Sequence, residues 1–149
     1  MIDAMLDGLI LYLHYFAIFG LAGALIIENM ALKPSISGED ARNLAKVDAV
    51  CGGSAVAVFL FGLTLWLWVG KPSEFYAENP LFQIKLGLFV LIILLAIYPA
   101  LFFNKNRHST EESVAVPGLV RLLLKLELII LLIIPVLASL MARGVGLNA

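Results

Sequence analysis

Residues Asn79–Pro99 read NPLFQIKLGLFVLIILLAIYP, almost unbroken hydrocarbon with a lysine, Lys85, near its start. A run of about 18 or more mostly apolar residues is long enough to cross a bilayer core of roughly 30 Å. The rest of the chain repeats this pattern. Taking the third run as Leu81–Phe103, the others are Leu6–Met30, Ala49–Val69 and Leu119–Met141. Between them stand KPSISGEDARN, GKPSEFYAENP and NKNRHSTEES, each rich in charged and loop-forming residues. The bilayer core offers no water to the backbone, so spans of this length must be helices. Short connections favour antiparallel neighbours. The sequence therefore predicts an all-α membrane protein, an up-down bundle of four transmembrane helices in one integral membrane domain over residues 1–149. No internal repeat, low-complexity segment or soluble domain is visible.

Composition agrees. Hydrophobic residues make up 62% of the 149 residues and charged ones 14%, and the mean hydropathy is +1.01. Soluble domains carry about 45–50% apolar and about 25% charged residues. The net charge of −1 leaves no basic footprint for nucleic acid. Cys51 is alone and carries no information on redox compartment. No Ala-x-Ala-like site follows the first apolar run, so that run is read as a retained helix.

Lys and Arg in short loops set orientation. Lys33, Arg42 and Lys46 lie in or beside the first loop, and Lys105 and Arg107 in the third. The middle loop has Lys71, and the N-terminal segment only Asp3 and Asp7. The first and third loops are thus expected in the cytoplasm, with both termini and the middle loop outside a bacterial inner membrane. Trp66, Trp68, Phe75 and Tyr76 gather where an interfacial aromatic belt would lie.

Ionisable residues inside spans tend to face the bundle and mark function. His14 lies about eight residues into the first span, roughly 12 Å along the helix, too deep for an imidazole to reach the headgroups. It is either satisfied by a neighbouring hydroxyl or carbonyl, or is a ligand or proton carrier. Lys85 lies about four residues into its span, roughly 6 Å. Its stem either reaches back to the headgroups, or the ammonium shares an outer-half pocket with His14, which stands at similar depth. Arg143 is a further candidate for that group. In the cytoplasmic half, Glu28, Asp48, Arg121, Lys125 and Glu127 form a second set, with Glu28–Arg121 and Asp48–Lys125 as candidate ion pairs and a proton or ion relay as the alternative. Glu127, the deepest acid, is expected to face the bundle. His14 and Glu28 fall on one side of the first helix, about 40° apart around its axis. Gly20/Ala24 and Gly53/Ala57 are small-xxx-small pairs suited to close packing. Pro99 is expected to end the third helix and Pro135 to kink the fourth. His108 lies in a polar loop on the opposite side from His14. No metal-ligand, phosphate-loop or nucleophile motif occurs, so no catalytic residue is assigned.

The stretches LHYFAIFGLAGALIIE, AKVDAVCGGSA, FYAENPLFQIKLGLF and LELIILLIIPVLASLMARGVG together resemble a group of small bacterial four-helix membrane proteins catalogued as a domain of unknown function. The resemblance covers nearly the whole chain. The FYxxNPxFxxKL stretch and the LMARG ending are its most specific parts. A more distant similarity is to the HemJ-type membrane protoporphyrinogen IX oxidase of bacteria, which has a histidine on its first helix and a lysine early in its third. His14 and Lys85 match those positions, while Gln83 stands where related sequences often carry a histidine. The resemblance implies a pocket for haem b or a porphyrin, with His14 as ligand to the iron and a redox role. The alternative is a non-enzymatic accessory subunit, assembly factor or small transporter. Beyond the lipid bilayer itself, a homo-oligomer or a larger membrane complex remains an open expectation.

Overall fold

The computed structural model describes residues 1–146; the C-terminal Ala149, whose side of the membrane the loop charges predict, falls outside the described residues. Four long helices dominate: α1 (Ile2–Ala31), α2 (Gly38–Leu67), α4 (Pro80–Asn106) and α5 (Gly118–Ala142). Each is long and apolar enough to cross a membrane. A short α3 (Ser73–Ala77) lies in the middle loop, and two three-residue strands, β1 (Ser35–Ser37) and β2 (Ser113–Ala115), lie in the first and third. Around the bundle the order is α1, α2, α4, α5, each packed on the next and α5 closing back on α1. This is the expected up-down four-helix bundle.

Lipid tails are as apolar as leucine, so close van der Waals fit rather than water exclusion holds membrane helices together. The two small-residue pairs differ in this respect. A Cβ at Gly20 would stand 2.7 Å from Ser54 Oγ, so α1 and α2 touch there because Gly20 has no side chain. Gly53 faces open space. Leu21 and Leu25 of α1, Ile92 and Phe103 of α4, and Val120 and Leu124 of α5 form the most deeply buried part of the core.

Three features depart from the sequence expectation. First, α2 begins at Gly38, about ten residues before the expected Ala49, so most of the first charged loop is helix. Ser37 caps it by accepting from Asp40 N at 3.0 Å, and Glu39 and Asp40 in the first turn suit the positive end of the helix dipole. Polarity was read as a loop signal where it marks a solvated first turn. Second, α4 runs through Pro99 to Asn106. Proline removes one N–H, but within a bilayer ending the helix would expose many more backbone groups, so the helix continues. Pro135 lies inside α5, where it was expected.

Third, the first and third loops pair as an antiparallel ribbon, with Ile36 opposite Val114. Both side chains are buried. Ser35 Oγ and Ser113 Oγ share a hydrogen bond of 2.6 Å, and Arg42 Nη1 donates to Ser109 O at 2.6 Å. A Cβ at Gly38 would run into the Glu111 carbonyl, so only glycine lets the third loop cross there. We call this the ribbon end. The opposite end, where α1 begins and α5 stops, is the terminal end.

Candidate functional site

At the terminal end the four helices splay around a cavity of about 960 Å³. From α1 it is lined by Asp7, Leu11, His14, Ile18 and Leu21. Steps of four and three residues place these on one helix face. From α2 come Val58, Gly62 and Trp66, from α4 Phe82, Lys85 and Phe89, and from α5 Leu131, Pro135 and Ser139. The walls are mostly apolar. The polar groups are few, and cations outnumber acids: Lys71 and Lys85 stand against Asp7.

His14 and Lys85 both line this cavity, on α1 and α4, which do not pack against one another directly. Gly62 makes room for the imidazole: a Cβ there would stand 3.2 Å from His14 Cε1. His14 Nδ1 is buried and makes no hydrogen bond of close geometry among the described residues, and the backbone of Val58 on α2 is the acceptor within reach of the ring. Lys85 Nζ lies 5.3 Å from the centroid of the Phe82 ring, within cation–π range. The lysine is therefore half-buried in the cavity wall. Arg143 is exposed and does not line the cavity.

The middle loop roofs the site. Trp66 Nε1 donates to Ser73 O at 3.1 Å, tying α3 to the end of α2. Its ring packs on Phe82 with centroids 5.0 Å apart, and Tyr76 packs on Phe82 at 5.8 Å. Trp66 thus turns inward rather than joining an outward aromatic belt, whereas Trp68 does face outward. Asn79 is 0% exposed. Its Oδ1 caps α4 by accepting from Leu81 N at 2.9 Å, and its Nδ2 donates to Val145 O at 3.3 Å. Pro80 follows at the first helical position, where its missing N–H does no harm. Gly146, at φ +86°, packs on this same Asn79. One side chain therefore joins the roof to the end of α5. The sequence reading passed over Asn79, Gly62 and Asp7. The Asn-Pro pair was the available signal for the first, and the heptad-like step back from His14 for the last.

The second set of charged residues lies about 21 Å further along α1, the length of fourteen helical residues. Glu28 is 0% exposed and Glu127 1% exposed. Both oxygens of Glu28 and Oε1 of Glu127 lack an N–H or hydroxyl donor among the described residues, and the group within hydrogen-bonding reach of Glu28 is another carboxyl, that of Asp48. The charged neighbours of Glu28 are Asp48 and Glu127, both acids. The expected Glu28–Arg121 and Asp48–Lys125 pairs are not made. Arg121 turns its guanidinium back to the start of α5, where a Cβ on Gly118 would stand 3.9 Å from Nη2. Lys125 is exposed and points away from the bundle, and Asp48 stands beside Glu28. Lys125 reaches outward as long basic side chains do, whereas Arg121 is half-buried, its Nε enclosed without a partner among the described residues. His108 sits in the third loop, far from His14.

No curated protein matches the chain, and no solved structure does. A family model does match, over residues 6–146, and takes in the last three long helices and all but the first four residues of α1. The chain belongs to the family described as "Predicted membrane protein (DUF2214)".

Proposed function

We propose that this membrane protein binds haem b or a closely related porphyrin in the terminal-end cavity. One observation carries the reading: the residue pair singled out on the first and third spans, His14 and Lys85, lines a single cavity. Its size, about 960 Å³, is at the upper end of the roughly 300–1,000 Å³ usual for small-molecule and cofactor sites. Apolar walls with a few convergent polar groups suit a flat hydrophobic ring with charged edges. The space kept by Gly62 and a buried Nδ1 without a close hydrogen bond fit an imidazole with one nitrogen for a ligand, the Val58 backbone being the acceptor within reach of the ring.

A bound haem would supply one-electron chemistry, tuned by axial ligand and nearby charge. The chain's own groups have separate tasks. His14 is the only histidine in the spans, so one chain offers one imidazole to the iron. Lys85 supplies a positive charge for a propionate. Trp66, Tyr76 and Phe82 exclude water from the roof. The Lys/Arg bias of the ribbon end supports placing it in the cytoplasm of a bacterial inner membrane, which opens the cavity to the outer half.

The test is absorption of the purified protein, alone and after added haemin, beside His14→Ala and Lys85→Ala. A Soret band lost in His14→Ala and shifted or weakened in Lys85→Ala is the expected result. A colourless wild type that takes up no haemin would refute the reading and favour a non-enzymatic accessory, assembly or transport role.

A further inference from the structure

We propose that Glu28, Asp48 and Glu127 form a proton-binding site in the ribbon-end half of the bundle, separate from the terminal-end cavity and open to the ribbon side through Asp48. The geometry leaves few other tasks for these residues. Glu28 and Glu127 are at most 1% exposed. The Glu28 carboxyl lies within hydrogen-bonding reach of the Asp48 carboxyl, and neither Glu28 oxygen nor Oε1 of Glu127 finds an N–H or hydroxyl donor among the described residues. An ionised carboxylate inside a membrane protein needs a base, a metal or several N–H donors. No base reaches this one, since Arg121 folds back toward Gly118 and Lys125 points outward. No cluster suited to a metal ion exists among the described residues. The amide of Asn29 is already spent on Leu25 O and Leu124 O, at 2.8 and 3.1 Å.

The titratable groups that face Glu28 are Asp48 and Cys51 from α2 and Glu127 from α5. On the later part of α4, Tyr98 and Lys105 are both exposed. The cluster thus holds acids and a thiol with no compensating positive charge. A proton is the remaining cation, and a carboxyl that carries one also becomes a donor to its neighbour. Access is one-sided. Glu28 stands three residues from the ribbon end of α1, and Asp48 beside it is half-buried. Toward the cavity, Leu21 and Leu25 are sealed in the core, at 1% and 0% exposure. The site therefore exchanges protons with the ribbon side and does not conduct across the bundle in this conformation.

Dicyclohexylcarbodiimide tests this on the wild-type protein in its membrane. It reacts with a protonated carboxyl in apolar surroundings. The acid adds across one C=N bond, its oxygen to carbon and its proton to nitrogen, and the acyl group then migrates to nitrogen as a stable acylurea. The expected result is an adduct on Glu28 or Glu127 at neutral pH, mapped by mass spectrometry and declining as pH rises. Infrared spectra should show a carboxylic acid C=O band that shifts in D2O and is lost in the doubly substituted Glu28→Gln/Glu127→Gln protein. Absence of both the adduct and the band in wild type would overturn the proposal, as would labelling confined to acids outside these three. Neither readout depends on haem, so the result stands whatever the cavity binds.

Discussion

Gly62 and His14 meet across the α1–α2 contact so closely that a Cβ on the glycine would stand 3.2 Å from the imidazole Cε1. The ring is therefore held by the absence of a side chain opposite it. Gly62→Val should displace the imidazole without replacing any of the cavity's polar groups. Groups that orient a metal ligand typically change affinity by about 10–100-fold when altered. We expect haemin affinity to fall within that range while helix content stays at the wild-type level. Unchanged affinity would mean that His14 is not the group whose placement matters.

Glu127→Leu gives a test of opposite sign to the one its sequence suggests. Read as a bundle-facing acid that makes a structural contact, Glu127 should stabilise the bundle, and its loss should loosen it. In the structure it is buried with an unpartnered oxygen among the described residues and no base beside it, only acids and the Cys51 thiol. Relieving such a group recovers about 1–3 kcal/mol, and in a chain of this length each kcal/mol moves Tm by about 2–4 °C. The Leu variant should therefore melt at or above wild type in detergent. A lower melting temperature would show that Glu127 has a stabilising partner after all.

The contrast shows what sequence could and could not disclose. Hydropathy alone marks four spans because a bilayer admits only helices of a minimum length. Depth along a helix follows from residue count, so His14 and Lys85 could be set at one level before any coordinates. Rotation about the axis is harder. The half-turn that sends Lys125 outward and Glu127 inward depends on packing with neighbours far along the chain. The ribbon was hidden for another reason. Ile36 and Val114 are single apolar residues in polar loops, and their pairing across 78 positions leaves no periodic trace. Gly62 was invisible as a functional position because its contribution is empty space.

Orientation can be tested on the intact protein. Lys33, Arg42, Lys46, Lys105 and Arg107 crowd the ribbon end, and basic residues in short loops stay in the cytoplasm. Alkaline phosphatase fused after the C-terminus should be active, and a cytoplasm-dependent fluorescent reporter at the same place should be dark. The reverse pattern would put the ribbon outside and open the cavity to the cytoplasmic half.

Asn79 ties three elements together at the cavity roof, and its two halves can be separated. The Oδ1 cap on Leu81 N (2.9 Å) sets the start of α4, from which Phe82 and Lys85 project into the cavity. The Nδ2 bond to Val145 O (3.3 Å) holds the end of α5 against that start. Asn79→Ala removes both, and loss of a cap alone costs about 0.5–2 kcal/mol. Asn79→Asp keeps an acceptor for Leu81 N and loses the donor to Val145. If the cap dominates, Asp should retain most of the stability that Ala loses. If the tie to α5 dominates, Asp should fall with Ala, and more steeply, because its buried carboxylate would face the Val145 carbonyl without a proton to offer. We expect the tie to matter most for the roof. Protease should then cut near Gly144 faster in both variants than in wild type, even where Tm separates them. Cleavage at the wild-type rate in Asn79→Asp would leave Asn79 as a helix cap alone.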